Sequence, residues 1–209
     1  MKEIYILGAG GFAKEVYGLI LDIGNFSIEG FISKEEASNI QMGDSEIPVL
    51  SEEQFFKKKL SSETSLALGI GDPKLTELLS IRFAEYNFPN LIHPKATLNV
   101  NLVSLNKGNI ITSGVILTSH ISIGSFNIFN LNTTIGHDVE IGDFNIFNPS
   151  VNISGGVIIK NNNLFGVSSV VLQNIQIGNS NTIGACTLIH RNRELNHATV
   201  VGVPGKIIK

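Results

Sequence analysis

The chain is poor in cysteine, in charge and in long apolar runs, and each scarcity excludes a class of protein. Its 209 residues contain one cysteine, Cys186, so a disulfide framework is excluded and a cytoplasmic location is expected. No stretch reaches the roughly 18 apolar residues of a membrane span, and the segment from Met1 to Phe12 lacks a signal-peptide layout. Charged residues make up 16% of the chain, the net charge is -3, and there is no basic run. We therefore expect neither a membrane nor a nucleic acid as a partner.

Residues 1–88 alternate between strand and helix patterns, which predicts a small Rossmann-like α/β domain with a parallel sheet. A Ser-Glu-Glu-Gln capping box at Ser51 opens a short helix, and Asp72 followed by Pro73 marks the start of another. The predicted strands are 3–7, 27–32 and 65–70, and the longer predicted helices are 12–23 and 74–86. Pro89 and Pro94 then end the helical pattern.

The second half of the chain, residues 89–209, repeats every 18 residues. Large apolar residues recur at every sixth position, three in each repeat, which neither a helix nor a flat alternating strand explains. A triangular parallel β-helix does, because each side is a short strand plus a turn and every sixth residue points inward. The predicted coils are 105–122, 123–140, 141–158, 159–176 and 177–194, and 195–209 are expected to cap the open end. The three columns are Leu105, Ile123, Ile141, Ile159, Ile177; Ile111, Phe129, Phe147, Phe165, Ile183; and Leu117, Ile135, Ile153, Val171, Ile189.

A column of asparagines runs with the same period, at a position that faces an inner corner and normally takes a small residue. Stacked amides at strand spacing can hydrogen-bond from one coil to the next, which predicts a buried structural ladder rather than a ligand site. Gly124, Gly142 and Gly178 follow the first apolar column, where we expect a turn to need a permissive backbone. The ladder residues are Asn109, Asn127, Asn145, Asn163 and Asn181.

A glycine-rich turn, Gly8–Ala9–Gly10–Gly11, follows the first strand and opens the first helix. Its N–H groups can hold a phosphate at the helix N-terminus. It is a poor dinucleotide fingerprint, because the glycine spacing is incomplete and the second strand ends at Ser33 without the acid that binds an NAD ribose. A nucleotide-linked sugar suits this turn better.

Three motifs carry a resemblance that covers nearly the whole chain. They are Gly136–His137–Asp138–Val139–Glu140–Ile141–Gly142–Asp143, the turn Gly8–Ala9–Gly10–Gly11–Phe12–Ala13, and Val201–Gly202–Val203–Pro204–Gly205–Lys206. Together they resemble the hexapeptide-repeat, left-handed β-helix acyltransferases of the sialic-acid O-acetyltransferase and UDP-bacillosamine N-acetyltransferase group. The resemblance implies a homotrimer that binds acetyl-CoA between neighbouring solenoids and a nucleotide-linked sugar in the N-terminal domain.

The resemblance also implies roles for individual residues of the solenoid. His137 is the expected general base, and Asp138 the acid that orients its ring. Gly155, one coil later, is expected to offer its backbone N–H to the thioester carbonyl, and Val167 to contact the cofactor. Relatives often carry a second histidine nine residues after the first. Here that cofactor-binding position is Ile146, so either Asn148 or backbone groups take over the contact, or the contact is absent.

In the N-terminal domain the resemblance places the sugar nucleotide against Gly8, Gly10, Gly11 and Phe12, with Gly71 bordering the same pocket. Ser33 and Lys34 stand where relatives often have paired aspartates, and Phe12 stands where they usually have histidine. These departures leave the sugar and the nucleotide base open.

The sequence favours an acetyl-CoA-dependent N-acetyltransferase that acts on a nucleotide-linked 4-amino sugar for surface-glycan or O-antigen synthesis. O-acetylation of a sugar hydroxyl and a non-catalytic sugar-nucleotide-binding trimer stay as alternatives. A zinc site like that of the γ-carbonic anhydrases needs three converging histidines, and only His120 and His137 are suitably placed. No metal is expected.

Overall fold

The computed structural model describes residues 1–35, 37–191 and 195–209, which form an α/β domain followed by a β-solenoid. Within those residues, no helix is both long enough and apolar enough to cross a bilayer. The elements of the first part are β1 (Lys2–Leu7), α1 (Gly11–Ile23), β2 (Phe26–Ser33), β3 (Ile40–Met42), β4 (Ser45–Ile47), β5 (Val49–Ser51), α2 (Glu52–Lys57), β6 (Ser65–Leu68) and α3 (Pro73–Arg82).

The N-terminal sheet is parallel, with strand order β5-β2-β1-β6, as the alternating pattern predicts. The capping box at Ser51 and the cap of α3 by Asp72 are both confirmed. The antiparallel hairpin of β3 and β4 was not predicted. Alternate residues of β1 point to opposite faces of the sheet and pack into two hydrophobic cores. Ile4 and Ile6 pack with α1, and Tyr5 and Leu7 pack with α2 and α3.

The solenoid begins after Pro89 and consists of very short strands joined by tight corners. They are β7 (Leu91–Ile92), β8 (Val103–Leu105), β9 (Ile110–Ile111), β10 (Ile116–Leu117), β11 (Ile121–Ile123), β12 (Ile128–Phe129), β13 (Thr134–Ile135), β14 (Glu140–Ile141), β15 (Ile146–Phe147), β16 (Asn152–Ile153), β17 (Ile158–Ile159), β18 (Leu164–Phe165), β19 (Val170–Val171), β20 (Gln176–Ile177), β21 (Thr182–Ile183), β22 (Leu188–Ile189), β23 (Thr199–Val201) and β24 (Lys206–Ile207).

These strands form the three faces of a triangular prism. The covered face contains β7, β9, β12, β15, β18, β21 and β23, with β24 antiparallel at its edge. The second face contains β10, β13, β16, β19 and β22, and the third contains β8, β11, β14, β17 and β20. Strands of successive coils pair in parallel at an offset of 18 residues, so the predicted register is confirmed. The last predicted coil, 177–194, ends in three residues that lie outside the described part of the chain.

The interior confirms the predicted columns and the asparagine ladder. Phe129, Phe147 and Phe165 stack with centroid separations of 4.9 and 4.8 Å. Each ladder side chain except the last accepts, at its Oδ1, hydrogen bonds from the backbone N–H and the Nδ2 of the asparagine one coil later. Asn90 extends the ladder at its start, and the N–H of Ala198 closes it at the end.

The backbone conformation at the corners shows that the role predicted for three glycines was wrong. Left-handed backbone recurs at every sixth position, but mostly at non-glycine residues, such as His120 (φ 54°), Asp138 (φ 58°) and Ser168 (φ 57°). Gly124, Gly142 and Gly178 are not among the left-handed residues. A Cβ at Gly142 would lie 2.2 Å from the Asn161 side chain, so these positions need glycine for close approach and not for a permissive backbone.

The α/β domain covers one face of the prism. Ile110, Ile128 and Ile146 point outward from this face and pack in one buried cluster with Val16 and Ile20 of α1. A hydrogen-bonded pair between the buried His93 (Nε2) and the exposed Asp22 (Oδ2), 3.0 Å apart, joins the start of the solenoid to α1. The other two faces therefore carry the surface on which a solenoid site can form.

Candidate active site

His137 and Asp138 lie together on the corner between the second and third faces, which we call the histidine corner. The Nδ1 atom of His137 is 2.7 Å from the Asp138 Oδ2, and both side chains are about two-thirds exposed (67% and 64%). A carboxylate only accepts hydrogen bonds, so in the neutral imidazole Nδ1 carries the proton and Nε2 keeps a free lone pair. The Asp138 N–H donates to Ser119 O, and His137 O accepts from the Gly156 N–H, which fixes the backbone on both sides. The arrangement leaves Nε2 able to accept a proton at the surface.

Gly155 lies against the imidazole, one coil later. A Cβ at residue 155 would be 2.6 Å from both Cε1 and Nε2 of His137, so only glycine allows this ring position. The Gly155 residue itself is buried, and its backbone N–H has no hydrogen-bond partner within the described residues. A free N–H beside a free imidazole lone pair is what a base and an oxyanion donor for acyl transfer require.

The free N–H contrasts with another corner of the same prism, which we call the asparagine corner. There the corner N–H groups of Ser125, Asp143, Asn161 and Asn179 each donate to an Asx side chain from the next coil, at 2.6, 2.7, 3.0 and 2.9 Å. At the histidine corner the corresponding acceptors are missing: Gly155 has no side chain to accept from the His137 N–H, and the Gln173 side chain makes no hydrogen bond to the Gly155 N–H within the described residues. The N–H groups of that corner are therefore open to a ligand.

Three of the predicted cofactor residues, Val167, Asn148 and Ile146, lie away from the histidine corner. Val167 (46% exposed) and Asn148 share the corner between the covered and second faces, which we call the valine corner. The Asn148 Nδ2 donates to Phe165 O at 2.9 Å. The second face separates both residues from His137 within one chain.

Ile146 was predicted as a cofactor-binding position, and the structure does not support a side-chain role there. Its side chain is 3% exposed and belongs to the cluster between the solenoid and α1. Nine residues are half a coil, so the ninth residue after His137 projects from the covered face. The side chain is buried by the α/β domain and is not presented at the histidine corner.

The glycine-rich turn lies at the carboxyl edge of the N-terminal sheet. Gly8 adopts φ 109°, and its N–H donates to Ile32 O at 2.8 Å. A Cβ at Gly10, Gly11 or Gly71 would meet nothing within 4 Å, so packing does not require glycine at these exposed positions. Because α1 begins at Gly11 without a side-chain cap, its first N–H groups face this open space.

The remaining predicted substrate residues, Phe12, Ser33 and Lys34, follow the strands at the same edge of the sheet and differ in how exposed they are. Phe12 is half-buried and packs against the cluster between α1 and the solenoid. The Ser33 hydroxyl donates to Glu35 O. Lys34 lines a surface depression together with Phe56, Lys59 and Arg82, residues that sequence reasoning did not single out.

The structure does not bring three histidines together. His120 is exposed at the histidine corner, one coil before Asp138, and lines a groove with Asn101 and Leu102. Among the described residues, no cluster of three or more His, Cys, Asp or Glu side chains could hold a metal ion. The zinc alternative has no site in this part of the chain.

Both the α/β domain and the solenoid resemble known proteins. Residues 3–82 match the family model described as the PglD N-terminal domain. No curated protein sequence matches the chain. Among solved structures, PerB from Caulobacter crescentus, in complex with CoA and GDP-perosamine, is 25% identical with a TM-score of 0.88, over 100% of this chain and 98% of PerB.

Two further structures share the complete fold. The acetyltransferase domain of PglB from Neisseria gonorrhoeae FA1090 is 21% identical with a TM-score of 0.87, over 100% of both chains. WeeI from Acinetobacter baumannii AYE is 24% identical with a TM-score of 0.85, also over 100% of both chains. The chain thus has a PglD-type N-terminal domain joined to a β-solenoid, the same two-part fold as these acetyltransferases, and the resemblance predicted from its motifs is confirmed.

Proposed function

We propose that this protein is an acetyl-CoA-dependent N-acetyltransferase that modifies the 4-amino group of a nucleotide-linked sugar for surface-glycan synthesis. The observation that carries this proposal is the Nε2 of His137 beside the N–H of Gly155, neither of which has a hydrogen-bond partner within the described residues. PerB, with the same two-part fold, binds CoA and GDP-perosamine. The PglB acetyltransferase domain binds acetyl coenzyme A.

His137 acts as the general base. As the sugar amine attacks the thioester carbonyl carbon, Nε2 accepts a proton from the amine nitrogen. The Asp138 carboxylate, hydrogen-bonded to Nδ1, keeps the ring in the tautomer with a free Nε2 and stabilises the imidazolium that forms. The C–N bond forms, the C–S bond breaks, and the proton on His137 goes to the leaving thiolate of CoA.

Gly155 stabilises the negative charge that develops on the carbonyl oxygen. Its N–H donates to that oxygen, and the missing Cβ lets the thioester approach both the amide and the imidazole. One such donor contributes on the order of 10²–10³ in rate in acyl-transfer enzymes.

The N-terminal domain binds the sugar nucleotide. The N–H groups at the start of α1, beside Gly10 and Gly11, suit a diphosphate because no described side chain caps them and they lie at the positive end of the helix dipole. Gly71 borders this space from the neighbouring strand end, and Ser33, the last residue of β2, and Lys34 after it lie at the same edge of the sheet. We take residues 1–88 as this binding domain and residues 89–209 as the acyltransferase domain.

A complete donor site needs a second copy of the chain. Val167 and Asn148 lie on a different corner from His137, so a cofactor that touches all three must lie between two solenoids. A homotrimer in the cytoplasm, with donor sites between neighbouring copies, meets this requirement.

The test is release of CoA, followed by thiol detection, with acetyl-CoA and a panel of UDP-, dTDP- and GDP-linked 4-amino sugars. We expect turnover on one acceptor and a loss of about 10²–10⁴-fold in His137→Ala. Turnover only on hydroxyl sugars would instead establish O-acetylation. Binding of acetyl-CoA with no turnover on any sugar nucleotide would contradict an enzymatic role.

A further inference from the structure

The histidine corner carries an aligned column of residues, one from each coil. Ser119, His137, Gly155 and Gln173 follow one another at intervals of 18 residues. The Gly156 N–H donates to His137 O at 2.8 Å and the Asn174 N–H to Gly155 O at 3.0 Å, so the coils are in register here. Gln173 is exposed, and its side chain makes no hydrogen bond within the described residues.

The ring of His137 decides in which direction a thioester bound at Gly155 can extend. The Cε1–Nε2 edge of the imidazole occupies the space beside Gly155 on the side of the earlier coil. A donor whose carbonyl oxygen binds the Gly155 N–H therefore meets the imidazole on that side and extends along the corner toward the later coil. The first side chain in that direction is that of Gln173.

The distance between adjacent coils matches the distance from the sulfur to the first amide nitrogen of the donor. Adjacent parallel strands lie about 4.7–4.9 Å apart. In a coenzyme A thioester, two methylene groups separate the sulfur from the first amide nitrogen, a span of about 4 Å from standard bond lengths. The first amide of the donor arm thus arrives one coil beyond Gly155, at Gln173.

We propose that the Gln173 carboxamide binds the first amide of the donor's pantetheine arm. A carboxamide offers both a donor and an acceptor, and so complements an amide, which has one of each. Gln173 thereby holds the thioester in place between Gly155 and His137. It is a positioning residue for the donor and does not itself act on the reacting atoms. The identity of the donor rests on the proposed function.

The test compares three acetyl thioesters: acetyl-CoA, the thioester of N-acetylcysteamine, which keeps only the first amide, and S-ethyl thioacetate, which has none. Gln173→Met keeps the side-chain length and removes both hydrogen-bonding groups. We expect it to lower kcat/KM about tenfold for the two amide-bearing donors and less than twofold for S-ethyl thioacetate. Ser119→Ala, one coil from His137 on the opposite side, is the matched control and should leave all three unchanged.

An equal loss on all three donors, or the same pattern in Ser119→Ala, would overturn the proposal, as would unchanged kcat/KM for acetyl-CoA in Gln173→Met. Calorimetric binding of CoA separates this proposal from the proposed function. If the wild-type protein turns over no acceptor, the enzymatic proposal fails. A tenfold weaker CoA affinity in Gln173→Met would then still support the contact, and an unchanged affinity would contradict it.

Discussion

The imidazole of His137 lies directly over the backbone of Gly155, so that a single methyl group at residue 155 would be 2.6 Å from two of the ring atoms. Such a separation is below any ordinary carbon–carbon or carbon–nitrogen contact, and one of the two groups has to move. His137 is the one that can, because its side chain is exposed and, within the described residues, is hydrogen-bonded to Asp138 alone. The position of the base thus depends on the absence of a side chain one coil away.

Gly155→Ala should therefore inactivate the enzyme without unfolding it. The displaced ring carries Nε2 away by about 1 Å, and a misplacement of that size costs about 10²-fold in rate. We expect kcat to fall by this factor, with a melting temperature within a few degrees of wild type. Steady-state kinetics and calorimetric melting measure the two effects.

Gly18→Ala is the matched control. A Cβ at Gly18, inside α1, would meet nothing within 4 Å, and alanine gains up to about 1 kcal/mol over glycine in a helix. This variant should keep full activity and be slightly more stable. Full activity in Gly155→Ala would show that the ring position seen here is not the catalytic one.

Asp138→Asn separates the charge of the acid from its backbone role. Asp138 stands in the left-handed region, at φ 58°, where asparagine is readily accommodated. Asparagine removes the charge that stabilises the imidazolium, so kcat/KM should fall about 10²-fold with stability unchanged. Asp138→Ala should lose as much activity and, in addition, about 1–2 kcal/mol of stability from backbone strain. The midpoint of urea unfolding distinguishes the two variants. Wild-type kcat/KM in Asp138→Asn would contradict the role assigned to the carboxylate.

Periodicity explains which parts of this structure were predictable. An 18-residue period determines which residues stack, so the apolar columns, the ladder and the alignment of His137 with Gly155 all follow from the sequence. It does not show which face another domain covers, so the burial of Ile146 against the α/β domain was not predicted. A signal was present: Ile110, Ile128, Ile146 and Leu164 form a further apolar column on outward positions, which is typical of a buried face.

The free N–H groups of the histidine corner were harder to foresee. They are recognised only by comparison with the asparagine corner, where Asp143 and Asn161 bind the N–H groups of the preceding coil. Both corners carry glycines and polar residues at similar spacing. The difference lies in the residue one coil later, because Asp143 and Asn161 supply an acceptor at the asparagine corner and Gly155 supplies none at the histidine corner.

Asn145, in the middle of the ladder, should be among the costliest side chains to remove. Its Oδ1 accepts from the N–H and Nδ2 of Asn163, and its Nδ2 donates to Asn127 Oδ1 and, at 2.8 Å, to Lys160 O. Asn145→Ala leaves several of these groups buried and unpaired, at a cost of about 2–5 kcal/mol. The midpoint of urea unfolding reports this loss.

The control for the ladder is Asn152→Ala. Asn152 is exposed on the second face of the prism, and its side chain binds Ser150 O and the Thr134 hydroxyl at the surface. Removing it should cost no more than about 0.5 kcal/mol, since water replaces the lost partners. Equal shifts in the two variants would mean that the ladder contributes no more than surface hydrogen bonds do.

Gly11→Glu should affect stability and substrate affinity in opposite directions. α1 begins at Gly11 with no acidic residue in its first turn, and a Cβ there meets nothing within 4 Å. A glutamate at this end favours the helix dipole and should stabilise the protein by about 0.3–1 kcal/mol. The same charge repels a diphosphate at the helix N-terminus, so affinity for UDP or GDP should fall at least tenfold. Calorimetric melting and titration with these two nucleotides measure both effects.

Gly11→Gln separates charge from bulk, because glutamine has the size of glutamate without its charge. If the diphosphate lies at the start of α1, the glutamine variant binds more tightly than the glutamate variant. The difference between them should shrink when the ionic strength rises, because salt screens the repulsion between exposed charges. Equal binding by both variants and the wild-type protein would place the diphosphate elsewhere, whereas equal weakening in both would indicate that bulk alone disturbs the site. A phosphate at this helix N-terminus requires two results together. The difference in nucleotide affinity between the two variants disappears at high salt, and the melting temperature rises only in Gly11→Glu.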